Sequence, residues 1–145
     1  MILVCGENDL SGSAGANKVF RRFKEIYREA RRNDIRIIMM GTKPEPDTTY
    51  LHKKYRKYDR KLKRWARKKA KNTDQPPFIF VDSYKAFKEL GNPDSLYADD
   101  ELHLSAEGYS YWNGWLQNAY NYGVCNEEGS CGCYYWQDYE CIGNW

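Results

Sequence analysis

The chain has 145 residues, 41% of them hydrophobic and 16% aromatic, and a formal net charge of +3. That length holds at most one domain of ordinary size. No apolar run approaches the roughly 18 residues of a bilayer-crossing helix, and Ile2-Leu3-Val4-Cys5 is too short, and lacks the basic leader, to read as a signal peptide.

In chain order, Ile2–Cys5 reads as a strand buried on both faces and running straight into Gly6-Glu7-Asn8-Asp9. A Ser/Gly-rich link over Ser11–Gly15 precedes a helix from about Ala16 to Arg32, whose apolar positions Val19, Phe20, Phe23, Ile26, Tyr27 and Ala30 recur at helical spacing. Asn33-Asp34 ends it, and Ile35–Met40 is a second strand closed by Gly41. Lys43-Pro44-Glu45-Pro46 is a stiff loop, because each proline fixes its own φ and biases its predecessor away from helix. A long helix follows from about Thr49 to Asn72, with Leu51, Tyr55, Tyr58, Leu62 and Trp65 in one stripe. Pro76-Pro77 stops it; Phe78–Asp82 is a third strand, Tyr84–Leu90 a short helix and Gly91–Asp94 a turn. The last helix starts after Ser105, a good N-cap, and runs to about Tyr122.

Apolar strands alternating with amphipathic helices indicate an α/β fold, a parallel sheet covered on both faces. Three strands make a thin sheet. An apolar strand at Ile2 without an outer partner is an aggregation hazard, so the chain reads as the later part of a larger α/β unit. Ligands of such sheets bind beyond the carboxyl ends of the strands. There Asn8 can aim an amide N–H at charge developing on an acyl oxygen; the plainer reading of Gly6–Asp9 is a turn. Of the two histidines, His52 opens the basic helix and reads as solvated. His103 lies in Asp99-Asp100-Glu101-Leu102-His103-Leu104-Ser105. A carboxylate three residues upstream can hold Nδ1–H and leave Nε2 as a general base; the alternative is a surface His among acids.

A strand ending in Gly-x-Asn-Asp, a second βα unit, a third strand, then Asp-x-x-His-Leu before a C-terminal helix resembles the SGNH/GDSL hydrolase family over about residues 1–120. Tyr109 after "HLSAEG" and the Gly41–Pro46 loop add to the likeness. The resemblance implies a three-layer, flavodoxin-like sandwich and an esterase or acetylhydrolase activity on a small-molecule or carbohydrate ester, with no metal or organic cofactor. By it, His103 is the general base, Asp100 orients the imidazole and Asn8 lines the oxyanion hole. Gly6 shapes the turn that presents Asn8, with Asp9 beside it. The family's nucleophile, a Ser in Gly-Asp-Ser after the first strand, is absent, as are its first two strands. Ile2–Cys5 then corresponds to the family's third strand. The chain reads as a shortened gene model of a longer protein, or else as a genuinely short, inactive relative that binds through its basic helix or its aromatic tail. Alone, it is expected to lack esterase activity and to be poorly soluble.

Residues 52–71 hold twelve Lys/Arg against one Asp, on an otherwise acidic body. A solvated helix face is the plain reading; contact with a polyanion through Lys53–Lys71 is the sharper one. The chain divides into a partial hydrolase domain over 1–122 and a Cys/aromatic-rich tail over 123–145. Cys125, Cys131, Cys133 and Cys141 follow C-x5-C-x-C-x7-C. Bridges among them imply a secreted or extracytoplasmic protein; a metal site is the alternative, with neither a nearby His nor a C-x2-C pair. Aromatics of the tail serve its own core or stack on sugar rings. Cys5 reads as a buried free thiol.

Overall fold

The computed structural model describes residues 1–71 and 78–128, the last seven of these by backbone alone. Three strands, β1 (Ile2–Val4), β2 (Ile37–Met40) and β3 (Phe78–Val81), form a parallel sheet in the order β1-β2-β3. Ile2 lies opposite Ile38, and Ile37 opposite Phe78. The helices are α1 (Glu7–Ser11), α2 (Ala16–Arg32), α3 (His52–Ala70), α4 (Ser83–Glu89) and α5 (Ala106–Glu128). The fold is therefore the expected α/β sandwich.

Alternation along the strands divides the core in two. Leu3, Ile37, Met39, Phe78 and Phe80 face α2 and α3, where Val19, Phe23, Tyr27, Tyr55, Tyr58 and Leu62 fill one cluster. Ile38, Met40 and Val81 point to the other side, against Phe87, Leu96, Tyr97, Leu104 and Trp115. Trp65 stands edge-on to Tyr27 at 4.5 Å and to Phe23 at 5.9 Å, and Phe78 lies 5.1 Å from Phe23.

Four sequence expectations change. β1 is buried on one face only: Ile2 and Val4 are 52% and 53% exposed, because α5 packs over β2 and β3 and nothing among the described residues covers that side of the edge strand. The Gly6–Asp9 segment is not a bare turn but leads into the short helix α1. Six residues of 3₁₀ helix, Pro46–Leu51, precede α3, which starts at His52 rather than Thr49; Pro46 suits the first helical position. α5 continues to Glu128, with no proline between Tyr122 and Glu128 to end it. Ser105 caps it as expected, its Oγ accepting the Gly108 N–H at 3.1 Å. Cys131, Cys133 and Cys141, and with them the bridge, metal and aromatic readings of the tail, lie outside the described residues.

Candidate active site

The polar residues gather beyond the carboxyl ends of the strands. At the end of β1, Gly6 has φ +111°, and a Cβ there would sit 2.7 Å from the Tyr58 ring. Only glycine makes this bend without strain. It lets α1 begin at once, with Leu10 fully buried beneath it. Asn8 falls on the exposed side of α1. Its carbonyl oxygen accepts the Ser11 hydroxyl at 2.8 Å, and its side-chain amide has no hydrogen-bond partner among the described residues. Asp9 pairs with Arg22 and so ties α1 to α2.

The second group is the loop before α5. Tyr97 and Leu104 bridge across it, and Glu101 takes φ +55°. That left-handed residue folds the loop back, so the Leu102 and His103 N–H groups both donate to Asp100 Oδ1, at 3.0 and 2.9 Å. Oδ2 is left to accept the His103 Nδ1–H at 2.6 Å. The His103 hydrogen bonds, with the loop N–H groups, pull the Asp100 carboxyl down to about 2. The spacing expected from sequence thus produces the expected pair, and Asp100 fixes the tautomer that carries its proton on Nδ1. Both side chains are exposed.

The segment Lys43–Asp47, after β2, touches both groups. Lys43 N–H donates to Glu7 Oε1 at 2.9 Å, and its ammonium reaches Glu7 Oε2 at 3.4 Å. Asp47 N–H donates to the Glu101 carbonyl at 3.2 Å. The same ammonium bonds to Glu45, a buried carboxylate that also accepts the Thr48 hydroxyl at 2.6 Å and the Tyr55 hydroxyl at 3.2 Å. Burial raises the Glu7 carboxyl even though the Lys43 charge opposes it.

His52 is not solvated. Its Nε2–H donates to the Glu45 carbonyl at 2.9 Å, and Nδ1 accepts the Tyr84 hydroxyl at 3.2 Å. Asp59, the single acid of the basic helix, is buried, and its two oxygens accept the Thr42 hydroxyl at 2.6 Å and the Thr42 N–H at 3.3 Å. Desolvation pushes it up to about 7. Sequence reasoning passed over Glu7, Lys43, Glu45 and Asp59. Asp59 carried a legible signal, being one carboxylate among twelve cations and next to Tyr58 on the apolar stripe.

No described serine meets the imidazole. Ser83 is fully buried and donates to the Gly41 carbonyl at 2.7 Å, while Ser105 is occupied in capping α5. Among the described residues no three His, Cys, Asp or Glu side chains group as metal ligands.

The polar residues thus stand where open parallel α/β sheets bind their ligands, beyond the carboxyl ends of the strands, with the Asp100–His103 pair in the loop before α5. The family model of the GDSL-like Lipase/Acylhydrolase family matches residues 1–111, and the chain belongs to that family. No curated protein and no solved structure matches it.

Proposed function

We propose that the chain carries the base and oxyanion side of a serine-dependent ester hydrolase. The observation that carries this reading is the 2.6 Å bond from His103 Nδ1 to Asp100 Oδ2, in a loop that also pins the other carboxylate oxygen. Nε2 then takes the proton of a serine hydroxyl as its oxygen bonds to the ester carbonyl carbon. The resulting imidazolium is stabilised by Asp100 and returns the proton to the departing alcohol as the ester C–O bond breaks. Water, deprotonated by the same nitrogen, releases the acid from the acyl-serine. Asn8 is the amide donor to the tetrahedral oxyanion, held on a helix that Gly6 starts and Asp9 and Glu7 tie down. The nucleophile comes from outside the described residues. The substrate is an ester of a small acyl group with a small-molecule or carbohydrate alcohol, hydrolysed without a cofactor.

The test is hydrolysis of p-nitrophenyl acetate by the protein expressed from its full-length transcript. His103→Ala should lower kcat by about 10²–10⁴-fold and Asn8→Ala by about 10²–10³-fold. Turnover that survives His103→Ala would overturn the assignment of the base. A protein inert on esters would leave the family fold without its reaction.

A further inference from the structure

We infer that the outer face of the α2–α3 layer is a docking surface for an anionic lipid bilayer. Sequence singles out only the long basic helix. The fold places a second basic helix beside it on the same side of the sheet. α2 carries seven Lys/Arg against two Glu, and α3 eleven against one Asp. The two helices hold +15 between them in a chain of +3, so everything else sums to −12.

The distribution of these charges over the surface sharpens the asymmetry. Asp59 is buried, so the exposed face of α3, with Lys53, Lys57, Arg60, Arg64 and Lys68, presents no carboxylate. On α2, Arg21, Arg28, Arg31 and Arg32 are exposed, and Glu29 is already paired with Arg32 at 2.9 Å. The helices are stitched into one surface. Phe20 of α2 meets Trp65 of α3 edge-on at 5.8 Å. Lys24 and Lys61, one from each helix, stand over that same Phe20 ring at 5.2 and 5.9 Å.

The shape selects the partner. Two helices of about 25–28 Å, given 1.5 Å per residue, lie side by side on a sheet and make a broad cationic plane. A bilayer engages all of it, whereas a linear polyanion neutralises one row. The seam rings pack on one another and sit under ammonium groups, so they are not free to stack on unpaired bases. Charge attraction to acidic headgroups supplies the binding, about fivefold per cation near the surface, and salt screens it. The surface does not depend on the hydrolytic reading, since neither His103 nor Asn8 belongs to it.

The experiment is co-sedimentation of the purified chain with phosphatidylserine–phosphatidylcholine vesicles, with phosphatidylcholine vesicles as reference. Binding is expected to the acidic vesicles only, and to vanish at high salt. Two double variants divide the plane: Arg60→Gln with Arg64→Gln on α3, and Arg28→Gln with Arg31→Gln on α2. Each should weaken binding by roughly tenfold or more, with unchanged circular dichroism, since all four positions are exposed. No binding to acidic vesicles at low salt overturns the proposal. So does an α2 double variant that binds like the parent. Tighter binding to heparin or to a single-stranded oligonucleotide than to vesicles, at the same ionic strength, would also overturn it in favour of a linear polyanion.

Discussion

Asp100 shows how much a short loop can do without burial. Its carboxylate accepts two backbone N–H groups and one imidazole N–H, and the charged form is favoured down to about pH 2. Because the folded value lies below the unfolded one, whatever this group adds to stability is present above the ordinary carboxylate range and is lost as pH falls towards 2. Carbon-detected NMR of the Asp100 carboxyl should show titration near that pH. His103→Ala should move it part of the way back up, since the two loop N–H groups remain. Gly6 makes the opposite point, a residue whose value lies in having no side chain. Gly6→Ala meets the Tyr58 ring and a positive φ together, and should cost about 1–3 kcal/mol, read as a lower midpoint in thermal denaturation. Both residues were legible as a spacing and as a glycine at a strand end. Glu45 was not, because its partners Lys43, Thr48 and Tyr55 come together only when the stiff loop folds onto α3.

At the level of elements, the tie between α3 and β2 is a buried acid. The fold keeps a proton on Asp59 to about pH 7, whereas the unfolded chain releases it near pH 4, roughly the ordinary aspartate value. Between those values the native state binds more protons, so stability falls as pH rises through this window. Asp59→Asn keeps the shape and, with one oxygen and one amide, both contacts to Thr42. Its thermal midpoint should therefore lose less than the parent's between pH 4 and pH 7, by several degrees. A curve parallel to the parent's would remove Asp59 as the cause. Helix periodicity made α2 and α3 readable, since Val19, Phe23, Tyr27 and Tyr55, Tyr58, Leu62 are all buried. The apolar run of β1 did not reveal that one of its faces is open. Period and polarity describe a strand, but what covers it is decided by elements far along the chain. The start of α1 was hidden for another reason: Gly, Asn and Asp favour turns locally, and the burial of Leu10 with the ties of Asp9 to Arg22 and Glu7 to Lys43 holds that segment as helix.

Among the described residues, the sheet has one edge strand with a half-exposed apolar face and one strongly cationic side. Ile2 and Val4 lie on the same face of the edge strand β1, about half exposed, which favours association through that edge. Val4→Thr keeps the branched shape while adding a hydroxyl. It should slow the growth of light scattering on concentration, with the thermal midpoint little changed.

The pairing of the sheet also carries a consequence for how the chain is made. β1 leaves the ribosome before β2 and β3, yet its partner residues run from Ile38 to Met40, so this apolar segment waits for β2 through the synthesis of α1 and α2. The rings of Phe23, Tyr27 and Trp65 then wait for Phe78, which packs against all three. No two neighbouring segments form a hairpin among these strands, and every sheet contact closes a long loop. A nascent chain stalled before Phe78 should be open to protease along β1 and to chaperone capture. One released after β3 has emerged should be protected, which makes that residue the point at which synthesis turns into folding.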